Sequence, residues 1–324
     1  MSTSGVAAFN LDLNDCVEEA FERCGSELRT GYDLRTARRS LNLLFADWAN
    51  RGLNMWTFEQ DVITLATGQP TYALPDDTVD LMDHVIRTYA GQTNNQADLT
   101  ITRISVSTYA TIPNKLIQGR PIQVYIQRLS GQESLLPITI AAASPATGIN
   151  STTTSIPVSG VNGIPNAGFL RIGSELIFYN EFTPASGSNP ATLNNCARGQ
   201  GGTTAASHSN GDQIYLSQKN SITVWPTPNP GQTYQFVYWR LRRMQDATNS
   251  GIKNFDVPFR FLPCLTAGLA YYLALKIPNA AERLPILKAQ YDEAWQLAAD
   301  EDREKAAIRL VPRPMFLGGG SGVG

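Results

Sequence analysis

Histidine is nearly absent from this chain: His84 and His208 are the only two in 324 residues. A Ser–His–Asp or Cys–His enzyme needs a base held by an orienting carboxylate, and neither histidine has a nucleophile motif beside it. Cysteine is sparse and scattered, at Cys16, Cys24, Cys196 and Cys264, with no CxxC or CxxH spacing, which argues against a zinc site. Cys16 and Cys24 lie eight residues apart on one expected helix, roughly 12 Å along its axis, too far to bridge within it. The four are read as reduced core or surface thiols, as in a protein assembled in a cytoplasm. Charge is low, 17% against an ordinary ~25%. The net charge of −2 lacks the basic footprint that tight nonspecific nucleic-acid binding requires, though it leaves room for a channel through which DNA slides. No apolar run approaches the ~20 residues of a membrane-spanning helix. The first residues, MSTSGVAAFNLDLNDC, have neither the basic start nor the apolar core of a signal peptide.

What is present is a body interrupted by a passenger. Residues 119–129 (GRPIQVYIQRL) and 219–228 (KNSITVWPTP) read as the two arms of one β-hairpin. The stretch between them, 136–217, is rich in Gly, Ser, Thr, Asn, Ala and Pro and poor in charge. It predicts a self-contained all-β domain inserted at a loop tip, where hosts tolerate insertion.

The body alternates between helical and strand periods. Val17, Phe21, Cys24 and Leu28 predict a helix over 14–28, which Gly31 breaks. Asp33 is placed to cap a second helix to Arg51, with Leu34, Ala37, Leu41, Leu44, Phe45 and Trp48 on one face, so the two form an αα-hairpin. Period two then takes over at 58–67, 81–90 and 99–105, with a turn at YALP (72–75) and a short helix or loop from Ser107 to Leu116. TYQFVYWRLRRM (233–244) alternates again. CLTAGLAYYLALK is apolar nearly all round and predicts a buried helix. A further helix capped at Asn279 is expected to reach about Ile308, with Pro285 near its first turn. The tail LVPRPMFLGGGSGVG has two prolines and a glycine-rich end and cannot form a core alone. The class is therefore α+β. Its helical body is the N-terminal αα-hairpin plus two C-terminal helices, joined to an antiparallel β domain that carries the insert. The expected boundaries are 1–135 with 218–308 for the body, 136–217 for the insert and 309–324 for an extended tail.

The order of helix hairpin, WTFEQDVITLATGQPTYALPDDTVDLMDHVIR, GRPIQVYIQR, ITVWPTPNPGQTYQFVYWR and FLPCLTAGLAYYLALK resembles one phage protein family. These are the head-to-tail adaptors of short-tailed bacteriophages, called packaged-DNA stabilisation proteins or tail tubular protein A. The resemblance covers about 1–130 and 218–310 and lies in the order of several weak motifs. The insert, SIPVSGVNGIPNAGFLRIGSELIFYNEFT followed by TLNNCARGQGGTTAASHSNGDQIY, is similar to small β modules of phage virion proteins. The resemblance implies a non-enzymatic structural protein of the virion. It would form a ring, twelve copies in the family, between the portal protein and the tail nozzle protein. It would enclose DNA without reading its sequence, and it needs no cofactor or metal.

Individual residues carry sharper expectations. Arg309, Arg313, Met315, Phe316 and Leu317 of the tail are candidate portal-binding residues, because a cationic and apolar segment without its own core orders on a partner. Arg35, Arg38 and Arg39, opposite the apolar stripe of their helix, and Asp300, Glu301 and Arg303 near the end of the last helix are candidate subunit contacts; a plain solvated face is the competing reading. Arg240, Arg242 and Arg243 share that ambiguity. RGQGGTT (198–204) lacks the ending of a phosphate loop and reads as a turn. Asp76, Asp77, Asp80 and Asp83 read as an acidic turn rather than a cation site. Glu175 and Glu181 flank Tyr179, but two carboxylates six apart are weak grounds for a glycosidase pair. Trp48, Trp56, Trp225, Trp239 and Trp295 read as core or interface. The alternative to the adaptor is a tail-associated binding module whose insert recognises a host glycan or a tail fibre.

Overall fold

The computed structural model describes residues 11–29, 31–51, 55–141, 148–160, 163–187, 189–247 and 255–302. Its class is α+β. Among the described residues the helices are α1 (Leu13–Arg23), α2 (Gly31–Arg51), α3 (Val106–Ala110), α4 (Leu262–Ala274) and α5 (Leu284–Glu301). The chain divides into two compact units, Met1–Trp56 with Met244–Gly324, and Thr57–Arg243. The body expected from sequence as one piece is thus two units, because the helices and the sheets each close around a core of their own.

In the first unit, α1 starts where Asp12 accepts the Asp15 N–H at 2.9 Å, a side-chain cap for an otherwise unpaired donor. It buries Leu13, Cys16, Val17, Ala20 and Phe21. α2 begins at Gly31, two residues before the expected cap. Asp33 instead sits in the first turn, where a carboxylate favours the helix N-terminus. α4 is buried nearly all round and packs on α1, α2 and α5 at once. Gly268 permits the closest approach: a Cβ there would lie 2.9 Å from the Tyr291 ring and 3.0 Å from Leu44. Trp48 is the centre of the bundle. It is fully buried, its Nε1 donates to Tyr291 Oη at 3.0 Å, and its rings lie 5.6 Å from Phe261 and 5.3 Å from Trp295. The helix expected from Asn279 starts later. Pro278–Arg283 is a 3-10 turn, and α5 opens at Leu284 with Pro285 in the first turn, where a missing N–H is harmless. All four cysteines are free and buried, and burial pushes Cys16, Cys196 and Cys264 up to about 12 and Cys24 up to about 11. They are packing thiols rather than reactive ones.

The second unit contains a sandwich of two four-stranded sheets. One has the order Phe58–Leu65, Tyr234–Arg242, Thr78–Thr88, Ala97–Thr100, all antiparallel. The other runs Thr71–Ala73, Ser221–Trp225, Gln123–Gln127, Thr102–Ile104, with the last pair parallel. Their facing sides share Leu65, Tyr72, Leu81, Ile86, Val124, Ile222, Val224, Phe236 and Tyr238. The run 99–105 is not one strand. The chain leaves the first sheet at Thr100, buries Ile101 and enters the second at Thr102, a corner of the kind that joins packed sheets. Tyr72 and Ala73, expected in a turn, are paired with Ile222 and Ser221.

The hairpin arms pair antiparallel from Gln123↔Trp225 to Gln127↔Ser221. The module between them has a sheet ordered Glu175–Tyr179, Gly168–Ile172, Gln213–Ser217, Glu133–Thr139, and a smaller one of Ile156–Val158, Ala191–Asn194 and Glu181–Thr183. It starts at 133 rather than 136, because Glu133–Thr139 is its own edge strand. Its core gathers Leu136, Ile138, Ile140, Ile156, Leu170, Ile172, Ile177, Leu193 and Ile214. The module is also seated on its host. Phe169, Leu176 and Phe178 cluster with Ala73 of the sandwich, and Gln69 Nε2 donates to Gln200 Oε1 at 2.8 Å.

Candidate functional site

The densest polar constellation lies inside the module, at Glu175. Its side chain is fully buried on the Glu175–Tyr179 strand. Arg198 grips it bidentately, Nε to Oε1 at 2.8 Å and a terminal nitrogen to Oε2 at 2.7 Å. The Gly199 and Ala206 N–H groups each donate at 3.0 Å, and His208 Nε2 lies 2.8 Å from Oε2. Burial alone would raise this carboxyl. Arg198, the Ala206 N–H, His208 and the Gly199 N–H together hold it down at about 2. Arg198 in turn donates to the carbonyls of Asn150, Thr153 and Ala206. One ion pair therefore ties a strand to three loop segments. Gly148 completes the fit: with φ at +125° it passes so close to His208 that a Cβ would meet the carbonyl oxygen.

The RGQGGTT loop does have the form of an anion cradle, but the anion is the chain's own glutamate. The Arg198 guanidinium and the Gly199 N–H are engaged by Glu175, and the Gln200 and Thr203 N–H groups by the Leu176 and Gln200 carbonyls, which leaves the loop no uncommitted cation with which to hold a phosphate. Glu181 lies on another strand, in the smaller sheet, and is exposed, so Glu175 and Glu181 share neither environment nor role. The sequence reading treated Glu175, RGQGGTT and His208 separately and missed that they meet. One signal was available: between 136 and 217 the only charged residues are Arg171, Glu175, Glu181, Arg198 and Asp212. A Glu and an Arg in so apolar a segment are candidates to be buried together.

The acidic run 76–83 is engaged by cations and backbone. Asp76 binds Lys219, Asp77 binds Arg240, and Asp80 binds Arg103 and Arg128. Asp83 accepts the His84 N–H at 2.8 Å. Arg240 and Arg242 both reach Glu59, and Arg243 donates to the Asp76 carbonyl. These arginines serve the sandwich's internal polar network. Among the described residues no cluster of three or more His, Cys, Asp or Glu could hold a metal ion, and no helix is long and apolar enough to cross a membrane.

His84 sits on the inner side of the sandwich, stacked on Phe236 with centroids 5.8 Å apart. Burial lowers its pKa, with Arg103 acting in the same sense against Asp83 and the Ile101 backbone. A group whose folded pKa is depressed contributes stability above its unfolded value near 6.5, and that stability is lost as pH falls through the folded value. His84→Leu is expected to flatten the fall in melting temperature between about pH 7 and pH 5. An unchanged pH profile in the variant would contradict this assignment.

The residues expected to make subunit contacts belong to the first unit. Arg35 and Arg39 are exposed on α2 and Arg38 is half-buried; together with Tyr32 and Asn42 they line a surface groove of about 420 Å³. Tyr32, Arg39 and Leu43 also border a second groove of about 480 Å³ that reaches Leu273 and Ile277. Tyr32 is 64% exposed and Leu43 58%, so this face is apolar as well as cationic. Asp300 and Glu301 are exposed on the last turn of α5, while the next residue, Asp302, is buried against Arg260. Arg303 and the tail residues Arg309, Arg313, Met315, Phe316 and Leu317 lie outside the described residues. Trp48 and Trp295 are core, Trp56 packs on Phe261, and Trp239 is partly exposed on its sheet. No protein-family model matches the chain, and no curated protein resembles it at a significant level.

Proposed function

We propose that this protein is a structural ring component of a virion, a head-to-tail adaptor that docks on the portal, links it to the tail nozzle and helps retain packaged DNA. The observation that carries the reading is the outward face of α2. A ring is built from heterologous contacts, in which one patch of a subunit meets a different patch of the next. The helical unit has two patches of opposite chemistry, the Tyr32, Arg35, Arg39 and Leu43 face and the acidic end of α5 at Asp300 and Glu301. The order of helices and sheets along the chain, which carries the resemblance to the adaptors, adds to the reading. The tail from Arg309 to Leu317 is the segment proposed to reach the portal.

Each exposed ion pair in such a contact is worth at most about 1 kcal/mol. Neighbours tethered on a common platform multiply that weak term, so a ring can form on the portal from subunits that barely associate alone. The charge-reversal pair Arg35→Glu with Arg39→Glu is expected to leave the melting curve unchanged and to cut co-sedimentation with purified portal at least tenfold. Truncation after Ile308 is expected to do the same. Full-strength co-sedimentation of both variants would defeat the assignment of these surfaces.

A further inference from the structure

The insertion creates a cleft that neither the module nor the sandwich has alone. It measures about 840 Å³, within the range of roughly 300–1,000 Å³ typical of small-molecule sites. One wall comes from the sandwich, with Thr71, Tyr125 and Thr223, and the other from the module, with Phe169, Phe178 and Asn180. Tyr109 and Tyr125 stack across its mouth, centroids 5.8 Å apart and planes 16° from parallel. Both are half-buried, and no hydrogen bond to either phenolic hydroxyl is formed among the described residues. The side chains of Gln127, Asn166, Asn180 and Asn195 also border the cleft, and among the described residues their amides make no hydrogen bond. Ser217, 4% exposed, lines it too, and its Oγ is buried without a hydrogen bond.

The cations around this cleft are already committed. Lys115 donates to the carbonyls of Ala110 and Ile112 and lies over the Tyr109 ring, and Lys219 binds Asp76. Glu181 is the one carboxylate in the lining. A phosphate or carboxylate ligand would find no uncommitted cation. What is on offer is aromatic surface, amides that both donate and accept, and hydroxyls. That combination matches a ligand with apolar C–H faces and many hydroxyl groups and no charge.

We propose that this cleft binds a neutral oligosaccharide. Tyr125 and Tyr109 present the apolar surface and phenolic hydroxyls, and Asn180 and Gln127 bond the sugar hydroxyls from opposite walls. The site belongs to the junction, so it requires the module in its host. The ring role proposed above does not depend on it.

The test is binding of the full-length protein to a printed array of neutral and sialylated oligosaccharides, followed by titration of the best neutral binder. Tyr125→Ala and the pair of exposed Gln127→Ala with half-buried Asn180→Ala are each expected to weaken binding at least tenfold. The amide pair should do so with an unchanged melting curve, which separates loss of contacts from loss of fold. Binding to no glycan, binding to the sialylated set alone, or neutral binding that the amide pair leaves intact would each overturn the proposal. Assembly on the portal with no glycan binding would leave the ring reading standing and this one rejected.

Discussion

Glu175→Ala is expected to destabilise the module by about 3–5 kcal/mol, the range for breaking a buried ion pair by removing one partner. The substitution leaves the Arg198 guanidinium in a site where its side chain is 7% exposed and where Glu175 was its only carboxylate among the described residues. It also strips two backbone N–H groups and His208 of their acceptor. The module holds none of the five tryptophans, so fluorescence of the whole chain reports it poorly. Amide hydrogen exchange over 168–179 is the direct reading, and those amides should lose protection while α4 keeps its own. Glu175→Gln retains the shape and part of the bonding and is expected to fall between. Unchanged exchange in Glu175→Ala would mean that the pair contributes nothing net. The carboxyl is held down at about 2, so the pair's contribution is fully present above the unfolded value of about 4.5 and is lost progressively as pH falls from there through about 2. The module should outlast the His84 transition as pH falls.

Trp48→Ala is expected to cost the helical unit about 3–5 kcal/mol, the usual range for a buried Trp or Phe truncated to Ala. The indole touches Phe261 and Trp295, and removing it opens a cavity between those rings and Tyr291. It also leaves the Tyr291 hydroxyl with Asp47 at 3.4 Å as its remaining contact. Chemical denaturation followed by helical circular dichroism is the measurement. A loss under about 0.5 kcal/mol would place Trp48 at a surface and refute the packing.

The helices were legible because their signals are local. The stripe from Ala37 to Trp48 and the all-round apolar run of α4 fix which faces are buried, whatever the rest of the chain does. The hairpin arms were legible for the same reason, since alternation sets strand register. Helix starts were less so: Gly31 looks like a breaker yet opens α2, and Asn279 looks like a cap yet falls in a 3-10 turn. The corner at Ile101 could not be read, because a strand that changes sheets keeps its alternation through the bend. Nor could the Glu175 cluster, whose members are 23 and 33 residues apart and meet only through folding. The cleft is further from sequence still. Tyr125 and Phe178 belong to different folding pieces, and only the docking of Phe169, Leu176 and Phe178 on Ala73 brings their walls together.

The ring is the central claim, and particle mass tests it most directly. The full-length protein should be measured by mass photometry and negative-stain imaging, alone and mixed with purified portal. The account predicts a closed ring, of twelve copies if it follows the adaptors it resembles, either free or formed on the portal, and lost in the Arg35→Glu, Arg39→Glu variant. A protein that stays monomeric at high concentration and leaves the portal's mass unchanged would contradict it.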